Sequence, residues 1–460
     1  MRPPSPALKS ATTAATVVLM AVSGGMLWDL GYNYDGLTGS PLTKLHPFTY
    51  FIFLALFWRA VQSGDPVGYF GAALKRRPAA WWLLVLAGLL VVVTVLRGGP
   101  GMAGFVDTFG GPAAYALILD EFDETDLKPL RLALHVVMTV NALMGLFEFA
   151  THHLIFPYRL DGVASLEDTR STALQGHPLV NAALTAIYVL SLMSGAKSLP
   201  GGLRALLIPL QFAALVVFGG RTGIVVSLAL TPFVGVYAVF AAMRRGRVSL
   251  LGAAAVLGAA PLVVLAVLVA LASGLADPLL MRFVHDSGSA ETRVIMFDML
   301  RPFTIGQLIV GPDIAEVESL RRHFGLEQGV ENPFIRMILY QGGFIMAAVF
   351  ASLLWFFREL LRRRGFRILA PIVATAVLLN ASESISVKTD FLDKLVLIFV
   401  CLFPHLRAAL AVQRTFSPRA ASIAGSRARV ASSIRPMPSN RHQNAHGKPN
   451  ASALSRTSLI

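Results

Sequence analysis

The chain has 460 residues, 55% of them hydrophobic and only 14% charged, with a formal net charge of +14. An average soluble domain carries about 25% charged residues, so the composition excludes an ordinary water-soluble globule and fits a chain solvated mostly by lipid. The basic excess does not read as a nucleic-acid signal. Nine Lys and Arg lie between Arg407 and the C-terminus, where there is no Asp or Glu. That stretch is rich in Ser, Ala, Pro and Asn, which predicts a disordered cytoplasmic tail over 410–460, close to anionic lipid.

In chain order, apolar runs long enough to cross the roughly 30 Å hydrocarbon core recur from the start. After Arg2 and Lys9, the run Ala11 to Trp28 resembles a signal peptide, but its apolar part is too long and no clean cleavage site follows. It reads as a retained first helix. Further spans are expected near 47–62, 80–96, 104–119, 130–150, 177–195, 203–219, 222–242, 249–273, 333–357, 368–382 and 391–409. The run at 104–119 contains Asp107 and a Gly110-Gly111-Pro112 break, compatible with a span, a tilted helix or a re-entrant segment. The sequence shows no alternating segments of about ten residues, as a membrane β-barrel would. The expected fold is an all-α integral membrane protein of about twelve transmembrane helices over 1–409.

Basic residues set the expected orientation. With the N-terminus inside, Lys75-Arg76-Arg77, Arg244-Arg245 with Arg247, Arg362-Arg363-Arg364 with Arg367, and the tail all fall on the cytoplasmic side. The acidic loop Asp120 to Asp126 falls there too and does not help the rule. Both termini are then cytoplasmic.

One long polar segment, 274–332, lies between the ninth and tenth spans and is expected outside. It carries His285, Glu291, Arg293, Arg301, Asp313, Arg321, Arg322, His323 and Glu331. The 151–176 loop brings His152, His153, Arg159 and Arg170 to the same face, and the turn Gly219-Gly220-Arg221-Thr222-Gly223 brings Arg221. An arginine at a helix end can simply snorkel to lipid headgroups. It can also grip phosphate oxygens through its planar fork, and Arg221, Arg170 and Arg293 on one face could bind a diphosphate together. His285 or His323 could serve as a general base near neutral pH. Cys401 is the single cysteine, so no internal disulfide forms, and zinc-type Cys/His spacing is absent.

Several stretches between about 130 and 405 carry a family resemblance. They are RSTALQGHPLVN from Arg170 to Asn181, GRTGIV from Gly220 to Val225, ETRVIMFDMLRPFTIGQLIVG from Glu291 to Gly311, and ENPFIRMILYQGG from Glu331 to Gly343. In order and spacing the chain resembles the O-antigen ligase and Wzy-type polysaccharide polymerase superfamily, and most of all the VpsF-type polysaccharide biosynthesis proteins. In the ligases a His-Asn pair precedes a glycine by a fixed spacing. Here Asn332 and Gly342 keep that spacing, but Glu331 stands where the histidine would be. Either Glu331 takes a proton from a sugar hydroxyl, or it caps the helix that starts near Pro333.

The resemblance implies a helical bundle of the membrane glycosyltransferase type with the long loop as a cap. It implies an inverting glycosyltransferase acting on an undecaprenyl-diphosphate-linked oligosaccharide, with no metal and no cofactor. Other polysaccharide assembly proteins would be partners, whereas nucleic acid would not. Glu331 or His323 would be the base, and Arg221, Arg170 and Arg293 would hold the diphosphate. A ligase, a lipid-linked sugar flippase and a non-catalytic assembly subunit are the competing expectations.

Overall fold

The computed structural model describes residues 3–34, 36, 39–160, 163–164, 170–194, 199–244, 295–326, 330, 332–381, 385–386 and 388–403. The expected span at 249–273, Arg293, His285, Glu331 and the tail at 410–460 lie outside them. Nearly all of the described regular structure is helical. The exception is a hairpin of two-residue strands, β1 (Arg159–Leu160) and β2 (Val163–Ala164), with Arg159 opposite Ala164.

The helices begin with α1 (Pro6–Ala21), the short α2 (Gly24–Asp29), α3 (Pro47–Gln62), the surface helix α4 (Pro66–Arg76) and α5 (Pro78–Arg97). Four of these five start on or next to a proline, whose missing N–H costs nothing in a first turn. There follow α6 (Met102–Phe105), a π-helical turn (Val106–Gly110) and α7 (Gly111–Leu119), then α8 (Leu127–Thr151), α9 (Pro178–Met193), α10 (Gly201–Phe218) and α11 (Arg221–Met243). Among the described residues, six helical stretches are long and apolar enough to cross a membrane. Residues on their outer faces, such as Leu89 and Val92 on α5 and Phe233 and Val236 on α11, are exposed. Long apolar helices with such exposed faces of Leu, Val and Phe are those of a membrane-embedded protein.

The stretch at 102–119 is the most enclosed of the six, with 89% of its window buried. It runs as one continuous helical element from Met102 to Leu119 within the bundle. Pro112 has no N–H to give the helical ladder, and the turn before it widens: the Gly111 N–H reaches back to the Val106 carbonyl. Asp107 sits in that widened turn and is fully buried.

Two ends of the bundle can be told apart by their contacts. At the first, the acidic loop is the counter-charge to the arginines. Arg59 meets Glu121 at 2.7 Å, Arg76 meets Glu121 at 2.9 Å, and Arg77 meets Asp120 at 2.7 Å. Lys9 pairs with Asp126 at 2.7 Å, and Arg131 donates to the Cys401 carbonyl at 2.8 Å. The acid residues that failed to fit a charge-counting rule therefore lie among the basic clusters because they bind them.

The remaining described helices are α12 (Ile305–Val310), α13 (Ile314–His323), α14 (Pro333–Gln341), α15 (Gly343–Arg364), α16 (Leu369–Ala381) and α17 (Phe391–Leu402). The sequence suggests one span over 333–357, but the chain breaks at Gly342 (φ +94°), where a Cβ would lie 2.6 Å from the Val310 carbonyl carbon and oxygen. The membrane-crossing helix starts at Gly343, and α14 belongs to the cap instead. Ile335, Leu339 and Tyr340 of α14 share a separate small core with Met296, Met299, Phe303, Val317 and Leu326.

Asn332 caps α14 by accepting from the N–H groups of Phe334 and Ile335. The Asn-to-Gly spacing thus measures out one nine-residue helix between its N-cap and its terminal glycine.

The cap is pinned to the bundle at the end of α5. Arg97 donates to the carbonyls of Val310, at 2.7 Å, and Pro312. The Gln341 amide reaches Thr94 at 3.2 Å. Within the cap, Glu318 accepts from the Tyr340 hydroxyl and from Arg321 Nε at 2.9 Å.

Partial burial pushes the Glu318 carboxyl up, but the Tyr340 hydrogen bond and the Arg321 and Arg336 charges hold it below the usual glutamate range. A carboxylate whose folded pKa is depressed stabilises the fold above its unfolded value, about 4.3, and stops doing so as pH falls through the lowered value. Amide exchange in α13 and α14 is therefore expected to speed up as pH drops below about 4, after correction for the intrinsic rate. Glu318→Gln should remove that pH dependence. Wild-type protection that shows no such fall would disprove the role given to Glu318.

Candidate functional site

The second end of the bundle is built around the start of α9. Arg170 precedes a segment, 171–176, that dips into the bundle. Ser171 donates its hydroxyl to the Gly145 carbonyl at 2.8 Å. The N–H groups of Thr172 and Ala173 donate to Glu148 Oε2 at 2.8 and 2.9 Å, and the Ile155 N–H donates to Oε1 at 2.9 Å. The Leu174 N–H meets Asn141 Oδ1 at 3.0 Å. Glu148, which in the sequence is an isolated acid near a helix end, is thus the anchor of this dipping loop. Ala173 adopts φ +39°, a region L-residues avoid, and the hydrogen bonds on either side hold it there.

The loop then delivers the chain to α9. The His177 ring caps the helix, Nδ1 accepting from the Leu179 N–H at 3.1 Å, and its edge meets the Tyr158 ring. The Asn181 amide donates back to the Thr172 carbonyl, tying loop to helix.

Arg221 enters from the other side, as the first residue of α11, and is partly buried. The glycines around it serve helix packing. A Cβ at Gly220 would lie 2.3 Å from the Ala182 Cβ, and one at Gly223 would lie 3.2 Å from the Ala182 carbonyl. Gly219 ends α10 with φ +66°. The bare backbone at this turn is therefore occupied by α9.

The segments that carry Arg170 and Arg221 therefore both meet α9 near its start, through Asn181 and Ala182. His323 does not join them through any contact of its own: it ends α13 on the cap, exposed, with its ring against Phe324. The positions of Arg293 and Glu331 are not described. The N-cap of α14 is Asn332.

A second set of polar groups lies deeper at the same end, and sequence reading passed over most of it. Lys394 donates to Gln175 Oε1 at 2.6 Å and to Asp390 at 2.8 Å, so α17 is joined to the dipping loop. Gln175 also donates to the Met20 carbonyl at 3.1 Å. The His46 N–H donates to Asp107 at 3.1 Å. The His46 ring accepts from Phe48 N–H at Nδ1, leaving Nε2 to donate to the Val22 carbonyl at 3.0 Å. Both bonds suit the neutral ring, and burial pushes its pKa down. Lys388 stands over the Tyr34 ring and donates to the Tyr34 carbonyl.

The available signal was the charge of Lys394 and Asp393 inside an apolar run, which a window average dilutes. Among the described residues no three His, Cys, Asp or Glu side chains converge as a metal site would need. Comparison of the chain with protein-family models, curated proteins and solved structures finds no match in any of the three.

Proposed function

We propose that the protein polymerises oligosaccharide repeats carried on undecaprenyl diphosphate, at the periplasmic face of the bacterial inner membrane. The reading rests on Arg170 and Arg221, whose separate segments both meet the start of α9: Asn181 holds Thr172 just after Arg170, and Gly220 and Gly223 beside Arg221 pack on Ala182. They lie at the end of the bundle away from the basic clusters. By the positive-inside rule that end is periplasmic, where lipid-linked repeats are displayed.

In the proposed reaction an acceptor sugar hydroxyl attacks the anomeric carbon of the donor. The new glycosidic bond forms as the bond to the diphosphate breaks, inverting the centre. Negative charge grows on the departing diphosphate, and guanidinium groups already in position stabilise it without reorganising. Arg221 and Arg170 take this role, with Arg293 as a third member. Glu331 or His323 accepts the hydroxyl proton. His323 sits on the cap, so on this reading it reaches the sugars only when the cap covers them.

A flippase for lipid-linked sugars is the rival that one observation favours, because Asp107, Asp393 and Lys394 are buried within the bundle and intramembrane charges commonly line a transit path. Deleting the protein and sizing the accumulated glycan separates the readings. Single repeat units on lipid are expected. Full-length polymer left on lipid would replace the proposal with a ligase, and loss of lipid-linked repeats from the outer leaflet would replace it with a flippase.

A further inference from the structure

The first turn of α17 holds a carboxylate for which the reading above has no use. Asp393 is only 1% exposed, and among the described residues neither of its oxygens meets a hydrogen-bond donor. The side chain faces α7, where a Cβ built on Gly111 would lie 3.0 Å from both oxygens. Gly111 directly follows the π turn that carries Asp107.

The charged groups acting on Asp393 are Asp390 and Lys394 of its own segment and Asp107 of the π turn, and Tyr115 of α7 also faces it. Lys394 is the adjacent cation, but its ammonium is turned to Asp390 and Gln175. Asp107 has the field of Lys388. His46 is held neutral by its two ring hydrogen bonds. Among the described residues two lysines face three acids here, and Asp393 is the acid whose oxygens meet no donor.

An ionised carboxylate with no donor and no counter-charge in contact costs several kcal/mol to bury, and two neighbouring carboxylates add repulsion. Such a group must take up a cation. The described residues offer no converging set of ligands for a metal ion, and a proton needs only the carboxylate itself.

We propose that Asp393 is a proton-binding site inside the bundle, occupied at neutral pH. The site is next in sequence to Lys394, which holds the loop leading from Arg170. Its proton thus sits one residue away from the link between the bundle interior and the arginine pair. This proposal stands independently of the polymerase reading.

The test is infrared spectroscopy of the full-length protein in lipid nanodiscs, labelled with ¹³C-aspartate so that its carboxyl bands separate from those of glutamate and lipid. At neutral pH the wild type is expected to show the carbonyl stretch of a protonated aspartic acid. In an Asp107→Asn background, which removes the neighbouring buried carboxyl, the band is expected to remain, and adding Asp393→Asn, the neutral isostere, should abolish it. Absence of the band in that background, or its survival once Asp393→Asn is added, would overturn the proposal. So would its disappearance on adding sodium at constant pH. If Asp393→Asn fails to fold, the band is sought in the wild type and in Asp107→Asn and Asp390→Asn singly. Persistence in all three supports Asp393, and loss in either variant refutes it.

Discussion

Replacing Arg221 with alanine is expected to cut polymer formation by about 10²–10³-fold, the usual loss when one preplaced donor is taken from a developing anion. Single lipid-linked repeats should accumulate while the protein stays at normal levels in the membrane. The fold should tolerate the change, because Gly220 and Gly223, which bring α11 against α9, are untouched. Arg221→Lys should recover only part of the activity, since an ammonium lacks the planar fork that meets two phosphate oxygens at once. Gel sizing of the glycan beside an immunoblot of the membranes decides the matter. Full-length polymer from a normally expressed Arg221→Ala variant would remove Arg221 from the site.

Replacing Glu148 with alanine is expected to produce the largest loss of stability among single changes at the second end. Its carboxylate satisfies the backbone N–H groups of Ile155, Thr172 and Ala173, and it is 1% exposed. Each buried donor left without a partner costs about 1–3 kcal/mol, so the loop that carries Arg170 would lose several kcal/mol of support at once. Glu148→Gln keeps one oxygen as an acceptor and should cost less. Thermal unfolding of the purified protein in detergent measures both. An unchanged melting temperature in Glu148→Ala would show that the loop does not depend on this anchor. If the loop does depend on it, activity should fall with stability in Glu148→Ala, in contrast to the clean activity loss expected of Arg221→Ala.

The helical course of the chain was legible wherever apolar runs met clear punctuation. The stretch expected at 47–62 is the helix Pro47–Gln62, and the one expected at 80–96 is Pro78–Arg97, started by Pro78 and stopped by the left-handed Gly98. The sequence misled where a hydrophobic segment serves the protein's own core instead of lipid. Residues 333–341 are apolar on one face because they pack on the cap, and an average over a long window cannot tell that face from a lipid-facing one. The run Ala11 to Trp28 hides a similar break, since Val22 is extended and α2 starts afresh at Gly24.

The candidate site was legible by charge and much less by geometry. Arg170 and Arg221 lie 51 positions apart in the chain, and only the packing of Gly220 on Ala182 and the tie from Asn181 to Thr172 brings them to one helix start. Neither contact leaves a local pattern, because each depends on the register of two helices. The glycines beside Arg221 leave no room for a ligand, because α9 packs against them. Asp393 and Lys394 went unread for the opposite reason: ten apolar neighbours in α17 mask two charges in its first turn.

The ion pairs at the first end have a mechanical consequence. Arg59, Arg76 and Arg77 bind the turn at Asp120 and Glu121, and Arg77 reaches on to Glu359 of α15 at 3.4 Å. α3, α4, α5, α7 and α15 are thereby riveted together at one level. Helices fixed at one end can move apart only by splaying at the other, like the ribs of a fan. Any movement that parts these helices is smallest at the rivet and greatest at the opposite end, where Arg170 and Arg221 lie.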